Sequence, residues 1–212
     1  MTLSPRFTAI SWLVAGVITL AGMLATPWES STETADYLAT IGSNATQGQI
    51  AALLLHFGYM ALVPAFFGVY WLCREHGGRL RAAGGALAVF GAIGLPGLLA
   101  VDFYGIALYE TLSLKEAVKV EEAVADMPGS AILAMSAVLP MMVGGVLLFV
   151  AAYRARVLPL WMPIVLALTM FGPMALEPVF AIAMGAGVLA IGVGMAVNWL
   201  RPGVAEPVLT TA

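Results

Sequence analysis

Residues 50–73 read IAALLLHFGYMALVPAFFGVYWLC, a stretch that contains no Asp, Glu, Lys or Arg. It exceeds the roughly 20 apolar residues that a helix needs to cross a bilayer. The whole chain of 212 residues has the same character: 61% of its side chains are hydrophobic and 10% are charged. Because soluble domains carry about 25% charged residues, this composition indicates an all-α membrane protein.

Six apolar segments are separated by charged or turn-forming residues. They cover residues 7–26, 50–73, 82–109, 131–153, 157–171 and 174–200. The fifth extends about 22 Å as a helix, so it spans only if it continues toward Leu176 or the bilayer thins around it. The first is too long for a signal-peptide core and is expected to stay as a span. We therefore predict a six-helix transmembrane bundle, with a single domain over 1–200 and a cytoplasmic tail over 201–212.

The basic residues predict the orientation of this bundle, because cytoplasmic loops carry the excess of Lys and Arg. With the N-terminus inside, only Lys115 and Lys119 lie outside. The other basic residues then all lie inside: Arg6, Arg74, Arg79, Arg81, Arg154, Arg156 and Arg201. Both termini are thus predicted to be cytoplasmic. Five spans would instead place Arg201 outside.

The two longer loops, 27–49 and 110–130, are predicted to lie on the outer side. Each contains a Ser-x-x-Glu capping box, Ser30 with Glu33 and Ser113 with Glu116, which predicts a short amphipathic helix. Their apolar residues are expected to lie against the outer membrane surface: Tyr37, Leu38 and Ile41 in the first loop, Leu114, Ala117, Val118 and Val124 in the second. Two interpretations stay open, an ordinary capped loop helix and a lid.

Four ionisable residues fall within or beside the apolar segments: His56, Asp102, Glu110 and Glu177. An ionisable group in hydrocarbon is costly and marks a functional site by default. Glu110 is explained equally by solvation among headgroups, and Glu177 by a favourable position at a helix N-terminus. A hydrogen bond to a carbonyl would explain His56. Asp102 must be neutral, paired with His56, or hydrated.

Counted along the helices from the basic residues, His56, Asp102 and Glu177 lie at a similar depth. We predict these three as catalytic residues. In the second segment His56, Tyr59, Val63, Phe67, Tyr70 and Arg74 recur at intervals of three and four, which places them on one helix face. The predicted substrate-binding residues are Tyr59, Phe67, Tyr70, Phe103, Tyr109 and Phe180.

Several activities are excluded or not predicted. The chain has no G-x-S-x-G, H-E-x-x-H, C-x-x-C or phosphate-loop motif, and the single cysteine, Cys73, excludes an internal disulfide. Neither lysine lies in a span, which excludes a retinal Schiff base. No metal and no cofactor are predicted, since one histidine and two scattered carboxylates are a weak metal signal. A net charge of −3 without basic clusters argues against nucleic acid. The oligomeric state is left open.

A buried carboxylic acid above an aromatic pocket suits protonation of a hydrophobic substrate, and aromatic faces would stabilise the resulting cation. In size, helix number, membrane carboxylates and aromatic content, the chain resembles small bacterial integral-membrane terpene cyclases of the drimentine type. The residues that carry the likeness are Asp102, Glu177, Phe66, Phe67, Tyr70, Trp71, Phe103 and Tyr104. The resemblance implies acid-initiated cyclisation of a prenylated small molecule in the bacterial cytoplasmic membrane.

Two other classes of function stay open. A proton-linked carrier of a hydrophobic or lipid-like ligand would use Asp102 and His56 as a relay and would require polar groups that continue to the inner side. A non-catalytic membrane subunit would require no polar cluster and would tolerate Asn or Ala at position 102.

Overall fold

The computed structural model describes residues 3–29, 31, 33–76, 78–171 and 179–200, without the side chains of Val179 and Phe180. In these residues the regular structure is helical. The helices are α1 (Pro5–Ala25), α2 (Thr34–Ser43), α3 (Ala45–Leu72), α4 (Gly78–Leu98), α5 (Ala100–Thr111), α6 (Leu114–Ala125), α7 (Pro128–Arg154), α8 (Trp161–Phe171) and α9 (Val179–Trp199).

Five of the helical stretches are long and apolar enough to cross a membrane. They are Pro5–Ala25, Ala45–Leu72, Gly78–Thr111, Pro128–Arg154 and Ala181–Trp199. The chain is therefore a multi-pass helical membrane protein, as its composition predicted. The tail over 201–212 lies outside the described residues.

Helix α8 is the short apolar helix of the set, with 11 residues. It begins at Trp161 rather than at 157, because Arg156 turns the chain with a φ of 57° and Pro159, which has no N–H, follows soon after. The described part of the fifth predicted segment is thus shorter than a spanning helix.

Helix α1 lies between α3 and α9 and runs antiparallel to both. Against α3, the Trp12 indole donates to the Ala65 carbonyl at 3.0 Å, while Thr8 lies beside Gly68 and Thr19 beside Gly58. As residue numbers on α1 rise, those on α3 fall. The same holds against α9, where Leu13 lies beside Gly192 and Leu20 beside Gly185.

The remaining helices also pack against their neighbours at glycines. Gly85 of α4 lies against Tyr70 of α3, and Gly91 lies against Met141 of α7. On the other side Gly187 of α9 lies against Thr169 of α8, and Gly194 lies against Trp161. Helix α8 therefore runs antiparallel to α9, and the start of α1 and the end of α9 lie at the same end of the bundle.

An aromatic cluster lies in the buried core, toward the end of the bundle at which α1 begins. The Trp12 ring lies 5.2 Å from Phe66 and 5.0 Å from Phe149, both in edge-to-face geometry, and all three side chains are fully buried. Such pairs add about 0.5–1.5 kcal/mol each beyond area burial. The cluster joins α1, α3 and α7 through apolar contacts.

Charge separates the two ends of this bundle. The arginine end, as we call it, carries the described arginines: Arg6, Arg74, Arg79, Arg81, Arg154 and Arg156. The opposite end, called the Asp102 end, carries Lys115 and Lys119 and all described acidic residues except Glu75. Arg201 and Glu177 lie outside the described residues.

Both predicted loop helices are present at the Asp102 end. In α6 the capping box is confirmed, since Glu116 accepts from the Ser113 backbone N–H at 3.2 Å and from its hydroxyl at 2.5 Å. Helix α2 begins at Thr34 with Glu33 as its N-cap, without a side-chain capping bond. Ser30, the predicted cap, lies outside the described residues.

The expectation that the apolar side of α2 faces the membrane surface is wrong. Leu38 and Ile41 are buried inside the protein, because α2 packs against α3, α5 and α6. In α6, by contrast, Ala117 is buried while Leu114 and Val124 are exposed. The first helix covers the bundle, and the second lies at its margin.

Two segment boundaries also differ from prediction. Helix α3 begins at Ala45 rather than at residue 50, and Gln47 in its first turn donates to the Ala25 carbonyl at 2.9 Å. The third segment breaks at Leu99 into α4 and α5. Pro96, just before the break, has no N–H for the helix ladder, which weakens the helix at this point. The break positions Asp102 in the first turn of α5.

Candidate functional site

The side chain of Asp102 pairs with a tyrosine from the covering helix. Its Oδ1 accepts a hydrogen bond from the Tyr37 hydroxyl at 3.1 Å. Pairing with His56 was one of the three states predicted for Asp102, and in the structure Asp102 pairs with Tyr37 instead. The second carboxyl oxygen makes no hydrogen bond to a residue within the described ranges. One oxygen is thus held by Tyr37.

The approach of Tyr37 to α5 depends on a glycine. A Cβ built on Gly105 would come within 3.2 Å of the Tyr37 hydroxyl and 3.4 Å of its ring. These contacts would be closer than side chains usually make, so a larger residue would push the tyrosine away. Tyr109, one turn further along α5, packs against Gly42 of α2. Small residues on both helices therefore bring the hydroxyl and the carboxyl together.

Tyr37 remains a donor over the whole neutral pH range. Burial, together with the neighbouring Asp102 carboxylate, raises the pKa of Tyr37 well above its usual range. Burial penalises a phenolate in this partly desolvated place, and whenever Asp102 is ionised its negative charge adds to that penalty. The hydroxyl therefore keeps its proton and its bond to Asp102.

Asp102 and Tyr37 line a cavity of about 210 Å³. The cavity lies beneath α2, where the chain leaving α1 crosses the top of α3. Its walls comprise Met23, Thr26, Pro27, Trp28, Glu29, Ile41, Gly48, Ala51, Leu55, Tyr59 and Ala181 in addition to that pair. The volume is below the roughly 300–1,000 Å³ of typical small-molecule sites. It admits a small group or one part of a larger ligand.

The segment after α1 is fastened over this cavity by its own hydrogen bonds. The Trp28 indole donates to the Met23 carbonyl at 3.1 Å, and the Thr26 hydroxyl donates to the Gly22 carbonyl at 2.9 Å. These bonds hold the Trp28 ring in the cavity wall, opposite the face that α3 supplies with Tyr59. The cavity wall thus combines two carboxyl residues, Asp102 and Glu29, with the phenols of Tyr37 and Tyr59 and the Trp28 indole.

His56 has a different partner. Its Nδ1 lies 3.3 Å from the Pro96 carbonyl oxygen. A carbonyl only accepts, so Nδ1 carries the proton in this contact. His56 is not among the residues that line the cavity. This contact agrees with the alternative prediction that His56 forms a hydrogen bond with a neighbouring carbonyl.

The predicted aromatic residues divide between the two ends. Tyr59 lines the cavity, Tyr109 packs against α2, and Phe103 is 39% exposed on α5. Phe67 and Tyr70 stack on each other at 6.0 Å toward the arginine end, outside the cavity. Glu177 and the side chain of Phe180 lie outside the described residues. The structure therefore brings Tyr59 together with Asp102 but not Phe67 or Tyr70.

Sequence reasoning did not include Tyr37 and Trp28 in the site. Tyr37 was assigned to an apolar helix face against the membrane, although a phenol pointing into a bundle needs a polar partner. The available signal was Asp102, a carboxyl at the same end of the molecule that needed a hydrogen-bond donor. Trp28 carried no such signal, because it lies in a loop whose course depends on the packing of α1 against α3.

The described residues contain no group of three His, Cys, Asp or Glu side chains that could hold a metal ion. Comparisons of the chain with protein-family models, with curated proteins and with solved structures find no match. The site itself offers a carboxyl that is hydrogen-bonded to a phenol, beside aromatic rings in a partly enclosed space.

Proposed function

We propose that this protein is an integral-membrane enzyme in which Asp102 protonates a hydrophobic prenylated substrate and starts its cyclisation. The observation that supports it is the hydrogen bond from Tyr37 to Asp102 on the wall of an aromatic-lined cavity. A carboxyl that is fixed on one oxygen presents the other oxygen in a defined direction. Positioning of this kind is what general acid catalysis requires.

The proposed reaction begins with proton transfer from Asp102 to the substrate. The Asp102 O–H bond breaks, and the π electrons of a prenyl double bond form a new C–H bond, which leaves a cation at the other alkene carbon. A second π bond of the substrate attacks this cation and closes a ring. A proton then leaves to the Asp102 carboxylate, to Glu177 or to His56. Tyr59 and Trp28 offer ring faces to the cation.

The proposed setting is the bacterial cytoplasmic membrane, with six spans and both termini in the cytoplasm. The concentration of arginines at one end supports this orientation. The antiparallel position of α8 beside α9 supports counting it as the fifth crossing. The Asp102 end would then face outward, so the substrate would enter laterally from the lipid.

Movement of α2 is part of the proposal. A cavity of about 210 Å³ is too small for a whole prenylated ring system by the usual size of ligand sites. Helix α2 covers it and contributes Tyr37, so displacing α2 would enlarge the cavity and expose Asp102 together. This argues for the lid interpretation of the first loop helix.

A proton-linked carrier is less well supported. Such a carrier would need polar groups from Asp102 to the arginine end, but the intervening core is built on Trp12, Phe66 and Phe149. Among the described residues the buried polar side chains are Thr8, Ser11 and Thr19, all on α1. Local chemistry at one end fits this distribution better than a relay across the bundle.

The test is turnover of a panel of prenylated indoles by purified protein. Asp102→Asn keeps the shape of the side chain and removes the acidic proton, so we expect turnover to fall about 10²–10⁴-fold. Asp126→Asn is the matched control, because Asp126 is an exposed acid at the same end. It should retain full turnover.

Two results would overturn the proposal. Equal turnover by the wild type and Asp102→Asn would remove Asp102 from the chemistry. Product from neither protein, with both folded by circular dichroism, would exclude cyclisation of these substrates and favour the non-catalytic subunit.

A further inference from the structure

A second cavity lies at the arginine end, about 380 Å³ in volume. Its lining residues are His76, Gly78, Arg79, Leu80, Ala151 and Arg154. They come from the turn before α4, the first turn of α4 and the last turn of α7. No acidic residue is among them.

Helix packing brings the two arginines of this cavity together. Gly84 of α4 lies beside Leu148 of α7, and Gly91 lies beside Met141. Continuing this antiparallel register toward the arginine end places Arg79 opposite the last turn of α7, which contains Arg154. Both side chains are exposed. The pairing follows from the packed interface and not from two freely mobile loops.

These arginines lack a carboxylate. Glu75 is the one acidic residue at this end within the described ranges, and it lies 3.5 Å from Arg74. No described ion pair involves Arg79 or Arg154. Two guanidinium groups in one cavity repel each other, and an anion between them would turn this repulsion into attraction.

The backbone adds to the positive potential. Gly78, Arg79 and Leu80 are the first residues of α4, whose N–H groups have no acceptor inside the helix. The last carbonyls of α7 are satisfied by the following turn, since Ala151 accepts from the Ala155 amide at 2.9 Å and Ala152 from the Val157 amide at 2.9 Å. The cavity therefore lies at the N-terminus of α4 and has two arginines in its lining.

We propose that this cavity binds the phosphate group of an anionic phospholipid, with Arg79 and Arg154 as the ligands of the phosphate oxygens. Arginine presents a planar fork of donors that matches phosphate geometry. The cavity lies where spanning helices end, which is the depth of lipid headgroups, and basic pockets between such helices are typical headgroup sites. His76 lines the same cavity.

Lipid binding is measured by mass spectrometry of the intact protein released from neutral detergent. Short-chain phosphatidylglycerol should form a saturable one-to-one complex, and phosphatidylcholine with the same chains should not. Arg79→Gln and Arg154→Gln should each weaken the complex about fivefold, which corresponds to about 1 kcal/mol for one basic residue near a membrane surface.

Arg6→Gln is the matched control. Arg6 is an exposed arginine at the same end but does not line the cavity. Equal weakening by this variant would show a general attraction to basic residues and would overturn the site. The free anion is tested with inorganic phosphate, which should not displace the lipid at equal concentration. Displacement by phosphate alone would overturn the assignment to a lipid headgroup.

Discussion

The two ends of the bundle use opposite means to deal with charge. At the Asp102 end, α2 folds back over the bundle and gives a carboxyl a phenol partner within a cavity of about 210 Å³. At the arginine end the connections between helices are short, and arginines lie on aromatic rings or line open cavities. Arg81 lies 4.4 Å above the Tyr70 ring, and Arg74 lies 5.2 Å from the Trp71 ring.

The two ends of the bundle stabilise their charged groups in different ways. A carboxyl at the edge of hydrocarbon needs a hydrogen-bond donor and a cover, because it is too short to reach water. Arginine has a long stem and reaches the surface, so it needs no covering element. Helix α2 supplies both the donor and the cover for Asp102.

The largest expected effect comes from a substitution in the aromatic core, which supports both ends of the bundle. Trp12→Ala removes the central ring of the core and its bond to Ala65, and should cost about 3–5 kcal/mol of unfolding free energy. Because α1, α3 and α7 meet at this ring, both the Asp102 site and the lipid site should weaken together. Unfolding in a denaturing detergent measures the loss.

Phe90→Ala is the control for the core. Phe90 is 61% exposed, so its removal should change the unfolding free energy by less than about 0.5 kcal/mol. A Trp12 variant as stable as this control would contradict the central role of the aromatic cluster.

The next effect concerns the interface that aligns Arg79 with Arg154. A Cβ at Gly91 would overlap the backbone of Met141 and Ala137, so Gly91→Ala should cost about 1–3 kcal/mol by overpacking. Gly97→Ala meets open space and should be neutral or gain up to about 1 kcal/mol of helix propensity. Thermal unfolding of the two variants gives the comparison, and equal stabilities would rule out the close contact of α4 and α7.

A smaller effect is confined to the Asp102 end. Tyr37→Phe removes the donor to Asp102 and should cost about 1–3 kcal/mol, the usual penalty for an acceptor left without its partner. Tyr104→Phe, at a 68% exposed position of the same end, should be neutral. Binding of phosphatidylglycerol should be unchanged in both. A loss of lipid binding in Tyr37→Phe would show that the ends are coupled.

The smallest effect is a pH dependence in α6. Hydrogen bonds from Ser113 lower the pKa of Glu116, so the capping contribution is complete above the usual pKa of glutamate and is lost as the pH falls through the lowered value. The protection factors of the α6 amides, which correct the exchange rates for their intrinsic pH dependence, should therefore fall in acid. Glu116→Gln should remove this pH dependence, whereas Glu121→Gln should keep it. Identical acid profiles for Glu116→Gln and the wild type would contradict the capping role.

Local patterns were sufficient for the elements and for much of the charge distribution. The apolar segments around α1, α3 and α7 follow from composition, and the Ser113–Glu116 box follows from a four-residue motif. The start of α8 was missed, because a positive φ at Arg156 is a property of the packed turn that no spacing in the sequence reveals. Asp102 was predicted to be neutral, paired with His56 or hydrated, and the structure gives it Tyr37 as a hydrogen-bond partner.

The identity of that partner illustrates what the sequence did not contain. His56 and Asp102 lie at similar depths by residue counting, yet depth does not determine which way a side chain points around its helix axis. Gly105 and the position of α2 bring Tyr37 to Asp102. Only the tertiary packing specifies these relations.

By itself, the sequence determined that the chain is helical, that it spans a membrane and that its basic residues gather on one side, because hydrophobic length and charge act locally along the chain. The tertiary structure specifies which polar groups come into contact. Tyr37 and Asp102 are far apart in sequence, as are Arg79 and Arg154, and such pairs are set by the register in which helices pack against each other.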